Sequence, residues 1–290
     1  MKFVLDADQR DFAASLDKLL ASSDTVAVAR AWADGDSTPG LALWARLAEQ
    51  GVLSLATDAT PVELAVAFEK LGWYAVPGPW VESAAYLPAA LGHEVEGIAT
   101  VALPPHVPFA LDADVADQVF VGSTPATSVG ESVGSVDRTR RLFRVSGEGE
   151  VDRDAFDLAV LASAAQLLGA GERVLADSVA YVKQRRQFGR EIGSYQAIKH
   201  ALADVRIGLD FARPLVHGAA LGEVGVSAAK VACGDAAYRA SRTGLQVHGA
   251  IGYTQEFDLS LLITKIRALT TAWGTPELHR ARILEQLGAS

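Results

Sequence analysis

The sequence predicts a mainly α-helical protein that carries a small β domain. Of its residues, 50% are hydrophobic but only 7% are aromatic, and this composition favours packed helices over aromatic-rich sheets. Short strand-like runs broken by proline, glycine, serine and aspartate fall between residues 98 and 151. We therefore predict a helical domain at 1–97, a reduced β domain at 98–151 and a helical bundle at 152–290.

The first domain is predicted to open with an amphipathic helix. Asp6 is suited to cap it, Gln9 follows three residues later as in a capping box, and apolar residues from Phe12 to Leu20 fall on one face. Three further helices are predicted from the same periodicity and from prolines and glycines near their ends. They cover residues 41–50, 61–72 and 82–91.

Three apolar runs predict the strands of the β domain. They lie at 100–103, 118–121 and 142–145. The helical pattern returns at Phe156, and between Ile198 and Leu209 apolar residues are spaced by four, three and four positions. That spacing puts one apolar stripe along a helix, so the last part of the chain is expected to bury such stripes in a bundle.

Charge and cysteine content exclude several classes of function. The formal net charge of -9 argues against general binding to nucleic acids or anionic membranes, since both need a basic surface. Cys233 is the single cysteine, which excludes an internal disulfide or a cysteine-based metal cluster. Residues 1–22 lack the apolar block of a signal peptide, and the longest apolar stretch, 158–170, contains Ser163 and Gln166. A cytoplasmic protein is expected.

Two segments contain residue types suited to a dinucleotide. Residues 181–190 read Tyr-Val-Lys-Gln-Arg-Arg-Gln-Phe-Gly-Arg, and residues 246–256 read Gln-Val-His-Gly-Ala-Ile-Gly-Tyr-Thr-Gln-Glu. Arginine offers planar, charge-assisted donors to phosphate oxygens, and glycine lets a backbone come close to a ligand. In this order, the two segments resemble the acyl-CoA dehydrogenase family. The segments 8–10, 68–72 and 77–79 are similar to its opening helices, so the resemblance covers nearly the whole chain.

The resemblance implies an N-terminal helical domain, a β domain and a C-terminal four-helix bundle that share FAD between subunits. In the family, the first segment reaches the ADP half of a neighbouring subunit's FAD. The cofactor-binding residues implied here are Arg185, Gln187, Phe188, Gly189, Tyr195, Gln196, Gln246, Val247, His248, Gly249 and Ala250. His248 is given no catalytic role, and no metal site is expected.

The catalytic base of the family has no counterpart at its usual positions. These dehydrogenases need a carboxylate to remove the proton next to the thioester. The family's glutamate before Gly-Thr is replaced by Trp273, and the alternative position at the start of the bundle holds Ala159. Four nearby acids are disfavoured as substitutes because surface and capping roles are commoner: Asp154, Asp157, Glu256 and Asp258. The loop that supports the flavin is also absent at 103–106.

In this pattern the chain resembles the smaller, β-type subunits of heteromeric acyl-CoA dehydrogenases from actinobacterial steroid degradation. This implies a non-catalytic subunit in an α2β2 assembly, whose larger α-type partner supplies the base and binds most of the acyl-CoA. The stretches 259–262 and 273–275 would then pack or form an interface. Two alternatives stay open: a self-sufficient homo-oligomeric dehydrogenase with a relocated base, and a flavin-free acyl-CoA-binding scaffold.

Overall fold

Helices form the N-terminal part of the protein in the computed structural model, which describes residues 4–288. A π-helical turn, Glu82–Tyr86, leads into the last of them. The helices are α1 (Ala7–Ala21), α2 (Thr25–Ala33), α3 (Thr38–Glu49), α4 (Leu55–Asp58), α5 (Pro61–Trp73) and α6 (Leu87–Leu91). The helices predicted from 41, 61 and 82 onward are thus confirmed, with ends shifted by a few residues.

The start of α1 matches its prediction in atomic detail. The Asp6 carboxylate accepts a hydrogen bond from the Gln9 backbone at 2.9 Å, and the Gln9 side chain accepts one from the Asp6 backbone at 3.1 Å.

Helix α2 was not predicted. It is nine residues long and begins after Asp24, whose left-handed backbone (φ 42) reverses the chain directly after α1. Such a short helix between turn residues gives little periodic signal.

The β domain consists of two small sheets. Its strands are β1 (Ala99–Ala102), β2 (Ala110–Leu111), β3 (Gln118–Val121), β4 (Thr124–Pro125), β5 (Ser128–Val133) and β6 (Leu142–Ser146). The sheets have the orders β1-β3-β4 and β2-β6-β5, and only β1 and β3 are parallel. The three predicted strands are confirmed as β1, β3 and β6. The others were missed because β2 and β4 have two residues each and β5 is exposed.

Helices and a short hairpin make up the C-terminal part. Its elements are α7 (Arg153–Gln184), β7 (Arg186–Gln187), β8 (Arg190–Glu191), α8 (Gln196–Ala220), α9 (Val226–His248), α10 (Leu259–Leu269) and α11 (Pro276–Gly288). Helix α7 has the length and composition of a membrane-crossing helix, but 89% of its most apolar window is buried inside the protein. It contacts α5, α8, α9 and α10 and is therefore the central helix of the core.

Helices α5 and α7 cross with their backbones in direct contact. A Cβ atom at Gly72 would overlap the carbonyl oxygen of Gln166, and one at Gly169 would overlap the carbonyl oxygen of Glu69. Neither helix could accept a larger residue at its glycine without moving away from the other. This crossing joins the N-terminal helices to the bundle.

Partly buried ion pairs reinforce the same crossing. Arg213 of α8 lies 2.8 Å from Glu69 of α5 and 2.8 Å from Glu172 of α7, and Arg206 also pairs with Glu172 at 2.6 Å. Burial alone would raise the pKa of Glu172, but the hydrogen bonds from Arg206 and Arg213 hold it below its ordinary value. Three helices are therefore tied together at one charged cluster.

We expect Gly169→Ala to lower the free energy of unfolding by about 1 to 3 kcal/mol, because the new methyl group must push α5 away from α7. The matched control is Gly234→Ala in α9, where a Cβ would meet nothing within 4 Å. The control should raise stability by about 0.5 to 1 kcal/mol through helix propensity. Urea denaturation of both variants measures the difference, and equal effects would contradict the backbone contact.

Candidate functional site

The two dinucleotide-like segments meet at one end of the bundle. Helix α7 ends just before Arg185, α8 begins after Tyr195, and α9 ends at His248. The Tyr181 ring, one turn before Arg185, stacks on the His248 ring with centroids 4.2 Å apart. The fold thus brings together residues that are far apart in the sequence.

A tight hairpin formed by β7 and β8 presents an aromatic ring to solvent. Its strands pair Arg186 with Glu191 and Gln187 with Arg190. Phe188 at the tip adopts a positive φ of 51, which is rare for a bulky residue, and its side chain is 90% exposed. An exposed aromatic ring on a strained turn is typical of a contact made with another molecule.

Three arginines lie in or next to this hairpin. Arg190 lies over the Tyr195 ring, with the guanidinium carbon 3.9 Å from the ring centroid, and Arg186 is 3.7 Å from Glu191. The guanidinium of Arg185 is exposed and forms no hydrogen bond or ion pair with any other described residue. Arg185 is therefore the cation of this group that is free to bind an anion.

The second segment divides into exposed and buried residues. Gln246, Gly249 and Ala250 are exposed beside the hairpin end of α7, whereas Val247 and His248 are buried. The His248 Nδ1 lies 2.8 Å from the Gly244 carbonyl oxygen, so this ring is held by the bundle. Any contact of Val247 or His248 with a ligand is limited to their backbone.

The two positions that the resemblance assigns to the family's base lie inside the core. The Trp273 side chain is 1% exposed and packs near Tyr86, with ring centroids 5.5 Å apart, and Ala159 is fully buried in α7. Trp273 therefore packs within this chain. Of the substitute acids, Asp157 pairs with Arg282 at 2.6 Å and Asp258 with Arg30 at 2.8 Å.

Sequence analysis missed a buried carboxylate in the π-helical turn. Glu82 is 2% exposed, and its Oε2 atom has no hydrogen-bond partner among the described residues. Burial raises the pKa of Glu82 to about 7, although the Arg140 charge opposes the rise. In the sequence, an acid near a helix start indicates ordinary capping or dipole compensation, so nothing there revealed its burial.

We expect Glu82 to make the protein less stable as pH rises. Its pKa is raised in the folded state from 4.5 to about 7, so the stabilising contribution of its proton is complete below pH 4.5 and is lost as pH rises through about 7. The loss between about pH 5 and pH 8 is about 2 to 3 kcal/mol. In urea denaturation, Glu82→Gln should remove this part of the pH slope. The contributions of Asp112, whose pKa burial raises to about 6, and of His279, whose pKa burial lowers to about 4 and whose contribution has the opposite sign, should remain.

A slope unchanged in Glu82→Gln would contradict the buried, proton-binding state of Glu82.

Comparison with known proteins gives a family match and a related sequence. Residues 147–288 match the family model described as acyl-CoA dehydrogenase, C-terminal domain. The chain is 32% identical over 274 residues to acyl-CoA dehydrogenase IpdE2 of Mycobacterium tuberculosis, covering 84% of this chain and 86% of that protein. The match to IpdE2 includes most of the N-terminal half as well.

Solved structures share the whole fold at low sequence identity. A chain of the Tcur3481-Tcur3483 steroid ACAD G363A variant superposes with a TM-score of 0.82 at 18% identity, covering 98% of this chain and 99% of that one. A chain of the ChsE4-ChsE5 complex from Mycobacterium tuberculosis superposes with a TM-score of 0.76 at 19% identity, covering 100% of both. The resemblance read from the two segments is thereby confirmed, and the chain belongs to the acyl-CoA dehydrogenase family.

Proposed function

We propose that this chain is the accessory subunit of an FAD-dependent acyl-CoA dehydrogenase and binds the ADP half of an FAD whose flavin lies in a larger partner. The main support for the proposal is the contrast between exposed residues suited to a nucleotide and a buried residue at the base position. The unpaired Arg185 and the exposed Phe188 lie at the surface, while the base position is filled by the buried Trp273.

The residues at the hairpin end fit the nucleotide half of FAD. Arg185 can donate charge-assisted hydrogen bonds to the phosphate oxygens, and Gln246 adds a side-chain donor or acceptor. Phe188 supplies an apolar wall, and the space around Gly249 is open, since a Cβ atom there would meet no heavy atom within 4 Å. When bound, the flavin would accept the hydride in the dehydrogenation.

A partner subunit is needed for the chemistry. The partner would supply the carboxylate base and most of the acyl-CoA site, and the product would be an α,β-unsaturated acyl-CoA. The structures of ChsE4-ChsE5, described as a complex, and of a steroid ACAD support a heteromer, which we propose to be α2β2, and a steroid-derived thioester as the substrate class. We propose that the complex is cytoplasmic.

We expect Arg185→Ala to weaken FAD binding by the co-purified complex about tenfold to a hundredfold, since a hydrogen bond to a charged group contributes about 1.5 to 3 kcal/mol. The ratio of flavin to protein absorbance during dilution measures the loss. The matched control is Arg153→Ala, which removes an exposed arginine at the opposite end of α7 from the hairpin. Full flavin retention by Arg185→Ala would favour the flavin-free scaffold instead.

The chain purified alone should contain no stoichiometric FAD and should not reduce a dye with any acyl-CoA, because its base positions hold Trp273 and Ala159. Co-expression with a partner that carries an intact base should give a complex that contains FAD and reduces the dye. Visible absorbance and a dye-reduction assay measure the two properties. A yellow, active chain without a partner would establish the self-sufficient dehydrogenase and contradict the subunit proposal.

A further inference from the structure

A cavity of about 690 Å³ lies between the β domain and the C-terminal end of α10. Its walls are largely apolar, and its volume lies in the range of sites for small organic molecules. The apolar walls include Val107, Phe109, Leu111, Leu142, Ala272 and Trp273. It shares no residue with the nucleotide-binding surface at the hairpin.

One carboxylate with an unpartnered oxygen atom lines this cavity. Glu82 lines it, is 2% exposed, and leaves its Oε2 atom without a hydrogen-bond partner among the described residues. A buried acceptor without a partner loses its hydration without compensation, so native structures rarely keep one without a reason. A hydrogen-bonding group of a ligand would compensate for that loss.

Two guanidinium groups in the cavity also lack partners. Arg140 is partly buried and Arg267 is exposed at the rim, and the side chains of both form no hydrogen bond or ion pair within residues 4–288. The other charged groups near the cavity form ion pairs with one another: Asp112 lies 3.7 Å from Arg141, and Asp137 lies 3.6 Å from Lys265. The cavity therefore has an excess of positive charge that a bound anion would neutralise.

We propose that this cavity binds an apolar carboxylate, with Arg140 and Arg267 pairing with the carboxylate group and the apolar walls covering the rest of the molecule. A carboxylate is favoured because a guanidinium matches its two oxygens, and because Glu82 in its protonated form donates an O–H hydrogen bond to it. The site would be independent of the proposed accessory role, since it needs neither FAD nor a partner subunit.

Proton uptake would accompany binding. Burial raises the pKa of Glu82 to about 7, so this group is partly protonated near neutral pH, and a neighbouring anion favours its protonated form further. The other groups facing Glu82 and the cavity are Arg140, Arg267, His106, Asp112 and the Trp273 indole. The test must therefore separate the contribution of Glu82 from those of these neighbours.

The test compares 2-naphthoate with its neutral amide, 2-naphthamide, by calorimetric titration of the full chain. We expect the carboxylate to bind at least about tenfold more tightly at pH 6, because only the anion can pair with the guanidiniums. Arg140→Gln should abolish this preference, whereas Arg242→Gln on the exposed face of α9 should keep it. Equal affinity of the two probes, or no binding of either, would overturn the proposal even if a variant failed to fold.

Glu82→Gln tests the role of the acid. Its amide can still donate a hydrogen bond but cannot titrate, so this variant should bind 2-naphthoate at pH 6 within about threefold of the wild type. The wild type should lose affinity between pH 6 and pH 8, and Glu82→Gln should lose much less. An identical pH profile in both proteins would overturn the role of Glu82.

Discussion

The backbone contact between α5 and α7 is the constraint on which the rest of the structure depends. Gly72 and Gly169 let the two helices touch, and Arg213 then bridges Glu69 and Glu172 across them. Since α7 runs the full length of the bundle, this crossing fixes both of its ends. One end contributes Tyr181 to the surface at the hairpin, and the other places Phe156 beside Trp273, with ring centroids 6.0 Å apart.

The two ends of the molecule differ in the side-chain groups that they leave without a partner. At the hairpin, an aromatic ring and a guanidinium are exposed without partners in this chain, as is typical of surfaces that become covered in an assembly. In the cavity, a buried carboxylate oxygen and two guanidinium groups lack partners among the described residues, and such groups in a native structure call for a functional explanation. The two ends therefore support two different binding proposals.

The resemblance assigns the position of the family's base to Trp273, and this residue is part of the core. Its side chain is 1% exposed, and the Nε2 atom of His279 lies 2.9 Å from the Trp273 backbone carbonyl oxygen. Trp273 thereby helps to hold α10 and α11 together. Returning a carboxylate to this position would remove a core side chain, so it would cost stability before it could restore a base.

The sequence by itself determined the helical class, the order of the domains and the two segments that identify the family, because periodicity, capping residues and motif residues are local properties. It did not reveal α2, the short strands or Glu82. Only the tertiary structure decided that Glu82 is buried, that Trp273 packs inside the chain and that Arg185 has no partner among the residues described. Burial and pairing depend on which distant residues come into contact, and no local pattern encodes those contacts.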